Sequence, residues 1–253
     1  DKIYIADTEA NRIIVLDQSG KTLLSWGRKG EKPGQFKSPS GIALDEQGRV
    51  YVSDSGNGRV QIFDGEGKFI RAFGSKGSGP KQFSGAGGIA ASRGLVYVAD
   101  TGNSRVQALT ADGVFMAQIS VQTKKDEMKA PVAVAVDVQN RIYALEAGNK
   151  VRIFDASGVQ TGAFGVKGKG TEGFNGPQDL AVDDRGNIYV SDSGNFNIKK
   201  FDQQGRLLGS IGSEGAGPGQ FRKATGVDVD RDGKVYVLDS GKNTLQILAC
   251  EAG

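Results

Sequence analysis

The chain contains no histidine. That absence removes Ser-His-Asp and Cys-His nucleophilic catalysis, histidine-ligated zinc and a histidine general base, since each needs an imidazole. Cysteine is almost missing too: Cys250 stands alone, so an internal disulfide framework is ruled out. The lone cysteine says nothing about compartment, because exported repeat proteins also do without disulfides. Proline occurs six times and tryptophan once. No apolar run approaches the roughly 20 residues of a membrane-spanning helix, so no membrane insertion of this chain is expected. Neither sign of charge dominates: 32 Lys and Arg face 29 Asp and Glu, and a net +3 alone argues for no polyanionic partner. The first residue is Asp1, with no methionine and no signal-like segment, which reads as a processed or excised piece.

Glycine is what the chain has in quantity, 39 of 253 residues, beside only 38% hydrophobic residues. That balance fits many short strands joined by tight turns and leaves little room for long helices. The six tyrosines, Tyr4, Tyr51, Tyr97, Tyr143, Tyr189 and Tyr236, are spaced 47, 46, 46, 46 and 47 residues apart. An acid follows each by three residues: Asp7, Asp54, Asp100, Glu146, Asp192 and Asp239. A fixed period near 46 means one supersecondary unit copied six times.

The clearest copy runs from Gly41 to Gly74: GIALD, EQGR, VYVSD, SGNG, RVQIFD, GEG, KFIRAFG. Each Val-, Ile-, Phe- or Tyr-rich block lies between Gly, Asn, Asp or Ser and reads as a strand between turns. GIALD is almost wholly apolar, as a strand buried on both faces should be, whereas VYVSD and RVQIFD alternate. Turns such as Asp64-Gly65-Glu66-Gly67 and Asp112-Gly113 supply residues that tolerate positive φ. The unit is therefore a four-stranded antiparallel meander, and six units read as propeller blades. Between them run Gly/Pro-rich connectors ending in Phe36, Phe83, Met128, Phe174 or Phe221, which read as interblade plugs, as do the tyrosines.

The Gly217–Phe221 connector end, GIALD, VYVSDSGNGRVQIFD and FIRAFG together resemble the NHL-repeat proteins, a family of β-propellers, over essentially the whole chain. The expected fold is all-β, a six-bladed β-propeller of four-stranded antiparallel blades with the first and last blades incomplete. It forms one domain over residues 1–253, with blades near 1–27, 39–74, 86–120, 131–165, 177–212 and 224–249. The strand count is 22, because the first copy begins at its second strand and the last stops after its third. Flanking residues outside the chain complete the closure, or the gap is a docking edge.

The acid at this position recurs with a basic residue five positions on, as in Asp54 with Arg59 and Asp100 with Arg105. These six acids read as ties for their own turns and partners for their own arginines, since the pattern is copied in every blade while an active site is usually built once. Departures from the repeat are more telling. Asp179, after Gln178, stands where other copies have Gly41 and Gly88; Asp228 stands where others have Ala43, Ala90, Ala135 and Ala181. In a propeller these inner strands line the central channel, so Asp179 and Asp228 are the candidate ligands for a Ca²⁺ ion there. Lactonases and amidating lyases, which the chain resembles in fold, place a metal in that channel, but the lyases also need histidine ligands.

Connectors and SGN loops sit at the same strand ends and should share one face. The connector windows 28–38, 75–85, 120–130, 166–176 and 213–223 hold 13 Lys and Arg against 5 Asp and Glu, a net +8 that leaves −5 for the rest. Arg28, Lys29, Lys76, Lys124, Lys125, Lys167, Lys169, Arg222 and Lys223 form this basic rim, partly offset by the six blade acids. Some animal NHL domains bind RNA through a basic propeller face, yet these connectors offer no exposed aromatic to stack bases. The third connector, SVQTKKDEMKAP, exchanges glycine for charge; Glu146 replaces Asp and is followed by the short loop Ala147-Gly148-Asn149. Those irregularities mark either a contacted side or drift.

The preferred reading is a non-catalytic binding or scaffold module that recognises a protein or a glycan through the connector face, with rim lysines aiding encounter with an acidic partner. Composition and family habit point to a bacterial, extracytoplasmic domain without a cofactor, the alternative location being the cytoplasm. The alternative functions are a metal-dependent lactonase- or lyase-like enzyme using Asp179 and Asp228, and single-stranded RNA binding through the basic rim.

Overall fold

The structure, a computed structural model, describes residues 2–123, 126–170 and 173–249 and divides into two compact units, Asp1–Pro131 and Val132–Gly253. The first unit carries three antiparallel sheets: Ile3–Asp7, Arg12–Leu16 and Thr22–Trp26; Pro39–Leu44, Val50–Asp54, Arg59–Phe63 and Phe69–Phe73; and Ala86–Ser92, Leu95–Asp100, Arg105–Thr110 and Phe115–Ile119. The second carries Pro131–Val136, Ile142–Glu146, Lys150–Phe154 and Gln160–Phe164; Pro177–Val182, Ile188–Asp192, Asn197–Phe201 and Leu207–Ile211; and Ala224–Val229, Lys234–Asp239 and Thr244–Ala249. In every sheet, strand order is sequence order, the meander read from the turns. The fold is all-β, a six-bladed β-propeller whose first and last blades have three strands.

Burial within a blade runs differently from the alternation of residue types. Val50–Asp54 is buried at all five positions, Ser53 and Asp54 included, while in Pro39–Leu44 the last residue, Leu44, is 42% exposed. The second strand is covered by sheets on both faces, so its polar residues are buried with its apolar ones. The first strand is an edge strand and keeps part of its surface. Hydrophobic pattern alone does not separate these two cases.

The plug residues are buried as expected: Phe36, Phe83, Phe174 and Phe221 at 0% and Met128 at 1%. Phe83 lies over Gly74 so closely that a Cβ there would come within 2.7 Å of its ring, and Gly74 has φ of 98°. The connector needs glycine at that point for both reasons. Tyr51, Tyr143, Tyr189 and Tyr236 do more than fill space. Each hydroxyl donates to a carboxylate six residues earlier, at Asp45, Asp137, Asp183 or Asp230, tying a strand to the turn that precedes it.

Successive inner strands approach closely. A Cβ on Gly41 would meet Gly87 O at 2.7 Å and Ile89 N at 2.9 Å, both rigid backbone atoms of the next blade. Gly41→Ala is therefore expected to cost about 1–3 kcal/mol, measured by urea unfolding; a neutral substitution would show that this spacing relaxes freely.

Candidate functional site on the connector face

The acid that ends each second strand organises the loop beyond it. In blade two, Asp54 is fully buried and accepts four hydrogen bonds: Lys37 N at 2.7 Å, Asn57 Nδ2 at 2.8 Å, Arg59 Nε at 2.8 Å and Gln61 Nε2 at 3.0 Å. Arg59 sends another nitrogen to Lys32 O and Gln35 O, both 3.0 Å away, and Asn57 also reaches Gly30 O. One buried carboxylate thus staples the SGN loop, the third strand and the preceding connector together. Blade three repeats the arrangement with Asp100, Ser84 N, Asn103, Arg105 and Gln107, and Arg105 continues to Gly79 O and Gln82 O. A glycine-rich connector would otherwise sample many conformations; here its carbonyls are held by charged donors.

The spacing of five residues between acid and cation holds in those blades and changes in the next two. In blade four the partner of Glu146 is Arg152, and in blade five the partner of Asp192 is Lys199, at 3.2 Å. Both cations are completely buried. They occupy the third residue of the strand, where blades two and three have Gln61 and Gln107, while Lys150 and Asn197 occupy the arginine's place. The cation has moved two residues along the strand and still meets its acid. Glu146, read from sequence as an irregularity, fits this change, its longer side chain meeting the arginine's new origin. Lys199 also donates to Gly170 O at 2.7 Å and to Gly173 O, so it grips the connector as Arg59 does.

Because Asp54, Asp100, Glu146, Asp192 and Asp239 are buried beside their cations, they do not offset the rim as a ring of surface carboxylates would. Arg28, Lys29, Lys76, Lys167, Lys169, Arg222 and Lys223 are all exposed, and none forms an ion pair with an acid among the described residues. Lys124 and Lys125 lie outside the described residues. Around them, Gln122 bridges Glu127, Met128 N donates to Val121 O and Met128 is buried, so the third connector keeps its plug without the glycines. Three other connectors contain short parallel ribbons that sequence pattern did not reveal: Ser75–Lys76 with Gln82–Phe83, Val166–Lys167 with Gly173–Phe174, and Ser213–Glu214 with Gln220–Phe221. Within the first unit SGN loops and connectors do share one face: Ser55, Gly56 and Asn103 line the same recess as Lys76 and Ser84.

The inner-strand acids are both in the second unit. Asp179 accepts Leu180 N at 2.9 Å on one oxygen and Val227 N at 3.1 Å on the other, so its carboxylate links the inner strands of blades five and six. The position corresponds to Gly41, whose missing Cβ lies beside the equivalent amide, Ile89 N. Asp228 accepts Val229 N at 2.8 Å. Its surface is open to solvent, although protein surrounds it closely enough that desolvation raises its carboxyl above the usual range. Desolvation likewise pushes Asp179 up to about 7, against its two amide donors and with a smaller contribution from Asp228. Ca²⁺ takes six to eight oxygens. A pair of acids, one with both oxygens engaged by amides, does not supply that set, and among the described residues no group of three His, Cys, Asp or Glu side chains converges to hold a metal. The residues present do not fit a bound cation.

A carboxyl whose folded pKa lies above its unfolded value of about 3.9 binds its proton more tightly in the folded state. Its stabilisation is complete below that lower value and disappears as pH rises toward 7. After allowance for residual exposure, wild type is expected to lose on the order of 1–3 kcal/mol between pH 4 and 7 relative to Asp179→Asn. Urea unfolding across that range checks it; parallel profiles would contradict the assignment.

Four segments, residues 36–63, 83–109, 174–201 and 221–248, match the family model described as NHL repeat. Among solved structures, virginiamycin B lyase from Staphylococcus aureus is similar over 96% of this chain and 75% of its own, with 14% identity and a TM-score of 0.68. A catalytically inactive histidine-to-alanine variant of that lyase with quinupristin is similar over 97% and 80%, at 14% identity and a TM-score of 0.65. Hydrazine synthase from Kuenenia stuttgartiensis matches over 98% and 92%, with 12% identity and a TM-score of 0.67. At these identities the likeness is one of fold, and enzymes share it. The chain is thus a six-bladed β-propeller in which four segments match the NHL repeat.

Proposed function

We propose that the chain is a non-catalytic recognition module that binds a protein or glycan partner through its connector face, in an extracytoplasmic setting. The observation that carries this reading is the contrast in the connectors between buried, paired acids and seven exposed cations that form no ion pair among the described residues. Loops stapled by buried carboxylates present those cations with little ordering cost, and the positive rim favours encounter with an acidic partner. Chemistry of the lyase kind has less support. The lyase is inactive when one histidine becomes alanine, whereas this chain has no histidine, and Asp179 spends both oxygens on backbone amides. Among the described residues no helix is long and apolar enough to cross a membrane.

The test compares wild type with a variant carrying Gln at Lys29, Lys76, Lys167 and Lys169. Immobilised acidic glycans, an acidic homopolypeptide, neutral glycans and single-stranded homopolymer RNA serve as probes at low and raised salt. The reading requires binding to an acidic glycan or polypeptide that the variant loses. Preference for RNA, with a steep salt dependence, would replace it with nucleic-acid recognition. Turnover of a streptogramin would replace it with catalysis.

A further inference from the structure

Every third strand is preceded by a left-handed residue: Asn11, Gly58, Ser104, Asn149, Phe196 and Asn243 all have positive φ. In three places this residue's side chain accepts the amide of the residue just before the next inner strand. Asn11 Oδ1 takes Ser38 N at 2.9 Å, Ser104 Oγ takes Ala130 N at 3.3 Å and Asn149 Oδ1 takes Gly176 N at 3.2 Å. At the fifth junction Phe196 has no acceptor, and Lys223 N turns instead to Asp239 Oδ1 at 2.8 Å. Blade two is the exception. Gly58 has no side chain, and the corresponding amide, Gly85 N, has no acceptor among the described residues.

A side chain at Gly58 is blocked: its Cβ would come within 2.7 Å of Lys76 Cγ and 3.0 Å of Lys76 Cα. The lysine stem has taken the place of the missing acceptor. The result is an open basin of about 670 Å³ lined by Ser38, Ser55, Lys76, Ser78, Ser84 and Gly85, among others. None of the four serine hydroxyls has a partner among the described residues, and Lys76 makes no ion pair there. The basin therefore gathers one ammonium, one unanswered amide and four free hydroxyls, the donor-rich complement of an anionic oxygen surrounded by other oxygens. Lys29 and Lys167 stand in the place of Lys76 in two other connectors, but Ser78 is replaced there by Glu31 and Lys169. Before blade six the two positions are Glu214 and Ala216, so the combination is particular to this junction.

We propose that this basin binds an acidic sugar, with the carboxylate of a uronate unit received by Lys76 and Gly85 N and the ring hydroxyls met by the serines. The volume falls within the range of small-ligand sites. The hydroxyls favour a sugar over an acidic peptide, whose backbone offers fewer matching groups. The assignment rests on the proposed recognition function and names the ligand for one part of the connector face.

The test titrates the whole chain with oligogalacturonate, its methyl ester and hexaglutamate, by calorimetry and by amide NMR. Oligogalacturonate should bind and shift the Gly85 amide, while the ester and hexaglutamate should not. Lys76→Gln should weaken binding about tenfold, Ser55→Ala should weaken it less, and Lys68→Gln, in the exposed turn before Phe69–Phe73 and outside the rim, should leave it unchanged. Equal losses in the Lys76 and Lys68 variants, equal binding of hexaglutamate, or no uronate binding would overturn the assignment. If uronate fails while another acidic probe still depends on the rim, only the basin assignment falls; if no probe depends on the rim, the recognition reading falls as well.

Discussion

Replacing Asp54 by alanine is expected to destabilise the protein by about 3–5 kcal/mol, the range for removing one partner of a buried ion pair. The carboxylate is fully buried and answers four donors, one of them the Arg59 guanidinium. Alanine leaves those four donors without their acceptor in a buried site. The guanidinium, with little exposure of its own, stays attached to the connector carbonyls without a counter-charge. Asp54→Asn keeps the volume and one acceptor while removing the charge, so it should fall between wild type and alanine. Urea unfolding followed by far-ultraviolet circular dichroism measures the series. A loss below about 1 kcal/mol in the alanine variant, the level of an exposed pair, would show that the staple is ornamental. The same variant should loosen residues 28–38, readable as faster amide exchange there than in the outer strand Phe69–Phe73.

The second large effect comes from the displaced cation of blade five. Lys199→Gln gives the strand the glutamine found in blades two and three but removes the sole cation facing Asp192 among the described ion pairs. It is expected to cost about 3 kcal/mol. Adding Asn197→Arg restores the Arg-x-Gln arrangement of Arg59 with Gln61, and should recover most of that loss. It also removes Asn197 Oδ1, which is buried without a hydrogen-bond partner. The single Asn197→Arg change, made with Lys199 in place, puts two cations on one carboxylate and should not stabilise. Thermal unfolding of the four proteins gives the coupling directly. Additive effects, with no recovery in the double variant, would mean that cation and glutamine are not exchanging roles.

Much of the fold was readable because the repeat states it six times. Period and turn residues gave the strands, their order and the incomplete outer blades, and the connector Phe residues were plainly plugs. Burial was harder. VYVSD alternates in residue type and is buried throughout, because a strand with a sheet on each face buries its polar residues as well. The short parallel ribbons were missed since two-residue strands among glycines have no period to detect.

Part of the candidate site was legible: the seven described rim cations are exposed and the SGN acids hold their own loops. What sequence could not show was a compensated change. Glu146 with Arg152 and Asp192 with Lys199 break the five-residue spacing, and only the cross-strand register brings each pair together. Asp179 was singled out for its charge. Its link to Val227 N depends on the approach of two inner strands 48 residues apart, which a linear reading does not contain. The free amide of Gly85 has the same origin, since it becomes visible only when the acceptors of the other junctions are compared in space.

Site-specific photo-crosslinking tests the central claim most directly. A photoreactive residue is placed at Lys29, Lys76 or Lys167 on the connector face, and at Met116 or Leu208, which are 57% and 56% exposed on outer strands. Each protein is irradiated in its native surroundings, and the crosslinked products are compared by mass spectrometry. The account predicts one recurrent product at the connector positions, competed away by unlabelled wild type and absent from the outer-strand positions. Equal capture at both sets of positions, or a competed product only on the outer strands, would contradict it.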